Sequence, residues 1–131
     1  GSPRPPGAGS VIAIIATDAP LLPHQLRRLS TRAGLAVGRM GGLGEDSSGD
    51  LFLAFSTANS GAAANSGVIS LRMLPNDRIN PLFEAVVQAT EEAILNSMLA
   101  AETMTGADDY RVYALPADRL MEAMRKYGRV K

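Results

Sequence analysis

Val11-Ile12-Ala13-Ile14-Ile15-Ala16 is apolar without interruption and rich in β-branched side chains. A continuous run of this kind, rather than an alternating one, predicts a strand buried on both faces. Leu51-Phe52-Leu53-Ala54-Phe55 repeats the pattern and predicts a second buried strand. A small-residue loop, Ala58 to Gly67, leads to a third apolar stretch, Val68–Leu74, which could pair with the second as a long-looped antiparallel hairpin. Arg111–Leu115 reads as a short fourth strand.

Helical periodicity fills the gaps between these runs. Pro23 suits a first helical position, and from His24 to about Val37 the residues Leu26, Leu29, Ala33 and Val37 recur on one face. Gly38, Gly41, Gly42 and Gly44 end that helix and open a Gly-rich loop running to Gly49. Pro75-Asn76-Asp77 breaks the chain before a long helix from about Asn80 to Met104, apolar around well over half its circumference. Gly106 stops it, and Pro116 opens a last amphipathic helix to Tyr127. The predicted order is β-α-β-β-α-β-α, an α/β fold with helices outside and sheets inside. Two strands without polar faces and a long helix without a wide solvated one imply a core completed by another segment.

Composition narrows the partners. Thirteen Lys and Arg balance thirteen Asp and Glu, so no global field recruits nucleic acid or an anionic membrane. The longest apolar run is six residues, short of the roughly 18 expected of a membrane span. No charged region precedes an apolar core, so no signal peptide is visible; in a longer precursor any signal would lie upstream. The absence of cysteine excludes disulfides and thiolate chemistry but leaves the compartment open between cytoplasm and bacterial periplasm. Residues 1–9, with three prolines and three glycines, form neither helix nor ladder and read as a flexible linker, a tail or a remnant of expression.

Few residues offer chemistry. His24 is the sole histidine and starts a helix with no acidic neighbour close in sequence, the setting of an exposed helix-start residue rather than of a triad base. No pair has metal-ligand spacing, so neither a metal nor another cofactor is expected. The glycines at 38–49 match neither a dinucleotide fingerprint nor a phosphate loop. Ser10 stands where the linker meets the first strand. Were the Gly9-Ser10 bond cut, Ser10 would carry a free α-amine of ordinary pKa about 7.7–8.0, able to act as base for its own hydroxyl. Glycine at position 9 removes a side-chain obstruction and permits strained angles at that bond. Gly-Ser before a strand is also commonplace, and residue chemistry alone does not promote Ser10.

Longer blocks do. Gly9-Ser-Val-Ile-Ala-Ile-Ile-Ala-Thr-Asp-Ala-Pro-Leu-Leu-Pro-His-Gln-Leu26, Ser48-Gly-Asp-Leu-Phe-Leu-Ala-Phe-Ser-Thr-Ala-Asn59, Glu92-Ala-Ile-Leu-Asn96 and Ala101-Glu-Thr-Met-Thr-Gly106 occur in order across most of residues 9–106. Together they resemble the small chain of the DmpA-type L-aminopeptidase/D-esterases and β-peptidyl aminopeptidases. The resemblance implies an α-β-β-α four-layer sandwich similar to the N-terminal-nucleophile hydrolases, completed by a separate larger chain from the same precursor. It implies self-cleavage between Gly9 and Ser10, with Ser10 as nucleophile of both that cleavage and the later acyl-enzyme, and residues 10–131 as the small chain. Ser48 and Asp50 fall on a Ser-Gly-acid motif that supports the nucleophile; in the β-peptidase branch the acid is glutamate, one methylene longer. Asn59 could line the site, although turn chemistry explains it equally well.

Asn96, Thr103 and Thr105 match the family too, with capping and packing as sufficient roles. Ala107-Asp108-Asp109 departs from the Arg-Asp-Gly-like continuation, and Tyr110 and Tyr113 fit sheet-edge packing. The function so implied is removal of N-terminal L-, D- or β-residues from small peptides, amides or esters by a homo-oligomer of the two-chain unit. Most of the oxyanion hole and amino-group pocket would come from the larger chain, making this piece alone a poor catalyst. An acyltransferase of related fold, normally threonine-based, and a non-catalytic, unprocessed subunit are the alternatives.

Overall fold

The computed structural model describes residues 9–65 and 67–131 of the chain. The linker reading for residues 1–8 lies outside the described residues. The chain divides into two compact units, one formed mainly by residues 4–92 and the other mainly by residues 93–131.

The first unit is built on a strand–helix–strand ribbon. Strand β1 (Ile12–Thr17) and strand β2 (Leu51–Ser56) pair in parallel, in register from Ile12 opposite Leu51 to Thr17 opposite Ser56. Parallel neighbours need a long crossover, and helix α1 (Pro23–Arg39) supplies it. Both strands alternate between covered and open positions. Ala13, Ile15, Phe52 and Ala54 face a core centred on Leu21, Leu29, Ala33, Ile79 and Val86. Ile12, Ile14, Leu51, Leu53 and Phe55 are on the other face and exposed. The expected burial on both faces is therefore met on one face only within this chain. The uninterrupted apolar runs leave an apolar sheet surface uncovered, a feature that marks interaction surfaces.

The buried stripe of α1 is Gln25, Leu29, Ala33 and Ala36 with Ser30 beside it, slightly rotated from the expected Leu26–Val37 stripe. Gln25 is fully buried and fully engaged. Its Nε2 donates to the Leu74 carbonyl at 2.7 Å and to Asn76 Oδ1 at 2.9 Å, while its Oε1 accepts the Leu22 N–H at 3.2 Å. This one side chain ties the start of α1 to the segment before helix α2 (Asn80–Ala100). Arg32 stacks on the Phe83 ring at 3.8 Å, and Arg39 Nε lies 2.5 Å from Glu91 Oε1, an ion pair without hydrogen-bond alignment.

The predicted strand at Val68–Leu74 is absent, and so is its antiparallel pairing with β2. β2 pairs with β1 instead, and residues 68–74 make no ladder bonds among the described residues. Asn59 substitutes for a ladder partner: its Nδ2 donates to the Arg72 carbonyl at 3.0 Å and its Oδ1 accepts the Arg72 N–H at 2.9 Å. The observed order is thus β-α-β-α-β-β-α.

In the second unit, β3 (Met104–Thr105) and β4 (Arg111–Val112) form a short antiparallel hairpin, followed by helix α3 (Ala117–Lys126). The long helix ends at Ala100 rather than Met104, because Met104 and Thr105 enter this hairpin. Asp108 and Asp109 take left-handed backbone angles at its tip, a conformation aspartate tolerates better than most residues. Thr103 Oγ1 accepts the Ala114 N–H at 3.0 Å and braces the hairpin. Asn96, Tyr110 and Tyr113 are exposed. Among the described residues, no helix is long and apolar enough to cross a membrane.

Candidate functional site

Parallel pairing brings the starts of β1 and β2 side by side, and with them Ser10, Ser48 and Asp50. Leu51 N–H donates to the Val11 carbonyl at 2.9 Å, extending the ladder by one residue. Just before it, Gly49 N–H donates to Ser10 Oγ at 2.9 Å. Asp50 Oδ1 accepts two bonds, each 2.9 Å: one from the Val11 N–H and one from the Ser48 hydroxyl. Residues 38 and 40 positions apart in the chain thus share one network, because the strand register leaves them adjacent.

The network has a definite polarity. Ser10 Oγ is an acceptor from Gly49, so its own proton stays available for transfer. Ser48 spends its proton on Asp50. Both recorded bonds to Asp50 fall on Oδ1, leaving Oδ2 open to a further donor among the described residues. Ser10 is exposed, whereas Ser48 and Asp50 are half-buried.

These groups open into a cavity of about 490 Å³, walled by Gly9, Ser10, Val11 and Val37, by residues 41–45, and by Ser48 and Asp50. The loop forming one wall is held against the last turn of α1. Gly42 N–H donates to the Val37 carbonyl at 2.9 Å, and a Cβ at Gly42 would stand 2.6 Å from Val37 Cγ1, so only glycine fits. Gly9 is different: a Cβ there meets nothing within 4 Å, and its φ lies outside the left-handed region. The expected steric need for glycine before Ser10 is not found in this chain.

Two sequence candidates stand elsewhere. Asn59 follows the far end of β2, about 20 Å from Asp50 at the usual strand rise of ~3.3 Å per residue, and is occupied with Arg72. His24 is exposed in the first turn of α1 and joins neither network. Among the described residues, no group of three or more His, Asp or Glu could hold a metal ion. Sequence reasoning missed the Gly49 N–H and the loop wall at 41–45. A backbone donor leaves no residue-type signal, and the glycines showed only a break in the helix.

The peptidase family S58 pattern matches residues 2–112, including every residue of this network. The chain belongs to peptidase family S58. It is similar to the β-peptidyl aminopeptidase BapA of Sphingosinicella microcystinivorans, with 51% identity over 126 residues, covering 95% of this chain and 32% of that protein. Among solved structures it resembles the L-aminopeptidase D-Ala-esterase/amidase of Ochrobactrum anthropi, described as a variant of the Ntn hydrolase fold. There the TM-score is 0.81 at 40% identity, over 93% of this chain and 35% of that one. The PH0078 protein of Pyrococcus horikoshii OT3 gives a TM-score of 0.84 at 49% identity, over 92% of this chain and 34% of that one. The S58 chain therefore spans about a third of the length of these relatives, and its α/β fold has Ntn hydrolase-like neighbours.

Proposed function

We propose that this chain is the nucleophile-bearing small chain, residues 10–131, of a self-processing serine aminopeptidase, with residues 1–9 ahead of the cleaved bond. The observation that carries the reading is Ser10. Its hydroxyl is exposed in a cavity, oriented by the Gly49 N–H, and one residue from a backbone amide held by Asp50. Membership of family S58 and the aminopeptidase relatives support it.

In the uncut chain, Ser10 Oγ attacks the Gly9 carbonyl carbon, and the Gly9-Ser10 amide becomes an ester as the nitrogen leaves with a proton. Water hydrolyses that ester, freeing the Gly9 carboxylate and the Ser10 α-amine. In turnover, the α-amine takes the Ser10 hydroxyl proton as Oγ attacks the substrate carbonyl, then gives a proton to the departing amine. Water releases the acyl group. Ser48 fixes Asp50 through a bond to Oδ1, and Asp50 would stabilise the new α-ammonium. Backbone N–H groups and side chains aimed at the developing oxyanion would supply the largest share of the rate.

The uncovered face of β1 and β2 would pack on a second sheet contributed by a larger chain of the same precursor, giving the four-layer sandwich. The matched length, about a third of each relative, supports that partner. The two-chain unit would assemble as a homo-oligomer acting on small peptides, with no cofactor. The test is hydrolysis of L-alanyl, D-alanyl and β-alanyl p-nitroanilides by the full-length protein. Turnover of at least one, lost in Ser10→Ala, is expected. Transfer of the acyl group to an amine without hydrolysis of any of the three would contradict the aminopeptidase reading.

A further inference from the structure

We propose that Leu43 lines the subsite for the departing amine and selects amides whose leaving group carries an apolar side chain; this rests on Ser10 being the nucleophile. Self-cleavage and turnover present the site with different leaving groups. In self-cleavage the nitrogen that departs is that of Ser10 itself, and the chain beyond it runs through Val11 into β1. The fold thus supplies the place of that leaving group. In turnover the same nitrogen is the free α-amine. As the substrate C–N bond breaks, its nitrogen takes a proton from the Ser10 ammonium and leaves as a neutral amine, which needs a second volume adjoining Ser10 Oγ.

On the acyl side the two reactions coincide, because a substrate carbonyl takes the place of the Gly9 carbonyl. Gly9 belongs to the wall of the cavity rather than to its contents. The volume between Gly9, Ser10, Val37 and residues 41–45 is therefore additional to the acyl position, and it adjoins the hydroxyl that becomes acylated. It is the space that turnover needs and self-cleavage does not.

Three apolar side chains stand in its walls. Val11 and Val37 are half-buried, and Val37 lies close against Gly42. Leu43 is 84% exposed, so an apolar group laid on it removes two apolar surfaces from water at once. The loop holds this leucine in place. Gly41 and Gly44 take left-handed backbone angles, with φ of 99° and 64°, which residues with side chains rarely adopt. Gly42 N–H bonds the Val37 carbonyl at 2.9 Å, and Ser48 N–H bonds the Glu45 carbonyl at 2.8 Å. Leu43 is thereby tied on one side to α1 and on the other to the Ser48–Asp50 pair.

The test uses the full-length protein with its Leu43→Ala and Leu43→Met variants, and cleavage at Gly9-Ser10 is followed by intact mass. kcat/KM is measured on L-alanyl-leucinamide and L-alanyl-glycinamide. Both give the same L-alanyl enzyme, so their ratio reports only steps up to departure of the amine. L-Leucyl and L-alanyl p-nitroanilides give the matching ratio for the acyl side. Wild type should favour leucinamide over glycinamide, and Leu43→Ala should lower that preference roughly tenfold. Leu43→Met, similar in volume, should keep it within about twofold. Self-cleavage and the leucyl-to-alanyl ratio should stay at wild-type values in both variants. A wild type that does not favour leucinamide overturns the proposal, as does an unchanged preference in a cleaved Leu43→Ala enzyme. Equal loss on both amides overturns it too, and so does a shift in the leucyl-to-alanyl ratio, which would place Leu43 on the acyl side. An uncut Leu43→Ala chain likewise contradicts it, since self-cleavage needs no second amine volume. If Ser10→Ala is itself cut or active, the nucleophile reading fails first; an inert Ser10→Ala beside an unaltered Leu43→Ala preference removes Leu43 alone.

Discussion

The β1–β2 ribbon carries a polar network at each end, and the two ends use similar residues to opposite purpose. At the far end, Ser56 Oγ donates to the Ala19 carbonyl and accepts the Ala58 N–H at 3.1 Å. Thr17 Oγ1 accepts the Ala19 N–H at 3.1 Å, and Asn59 holds Arg72 through two bonds. Every one of these side chains is committed to backbone, as turn-building groups are. At the near end, Ser10 accepts one bond, keeps its proton and faces a cavity. Ser56 spends its proton on a carbonyl, whereas Ser10 retains its own beside an open volume and is equipped to react.

Ser10→Ala breaks this contrast most sharply. In the full-length protein it should abolish self-cleavage and lower kcat/KM by roughly 10³-fold or more, as loss of a nucleophile does, measured with an alanyl p-nitroanilide. Asp50→Asn keeps the shape of the network but removes its charge; we expect kcat to fall by about 10²-fold with a wild-type melting temperature. Removing the far-end hydroxyl gives the mirror image. Ser56→Ala should cost about 1 kcal/mol of stability, read by denaturant unfolding, and leave kcat within about twofold.

Gly9→Ala sharpens the comparison in another way, because a Cβ at position 9 has open space in this chain. Its self-cleavage should proceed at a rate within several-fold of wild type, followed by gel. A block there would mean that a second chain crowds the bond. His24→Ala, at an exposed helix start, should change neither stability nor activity measurably.

The ribbon itself was legible in the sequence: the two apolar runs became β1 and β2, and the helix between them starts at Pro23 as expected. Their pairing was not. An apolar run announces a strand but says nothing about its neighbour, so Val68–Leu74 looked as good a partner for β2 as β1 did. That stretch joins no ladder among the described residues, and the one it was expected to join is replaced locally by the Asn59 amide. Gln25 was invisible for a related reason, since a glutamine in a first helical turn is ordinary until its three partners converge from residues up to 51 positions away.

The site was half legible. Ser10, Ser48 and Asp50 were named from motif blocks, and parallel register alone brings them within one hydrogen-bond network. Asn59 belonged to the same block, but six strand residues carry it to the other end of the ribbon. Adjacency in a motif therefore did not translate into adjacency in this chain.

Intact-mass spectrometry of the full-length protein beside its Ser10→Ala variant tests the central claim most directly. A wild-type sample in two pieces, one beginning at Ser10, with an uncut Ser10→Ala chain, is the predicted result. Wild-type protein that remains whole while hydrolysing alanyl p-nitroanilide, or a Ser10→Ala chain cut at the same bond, would contradict it.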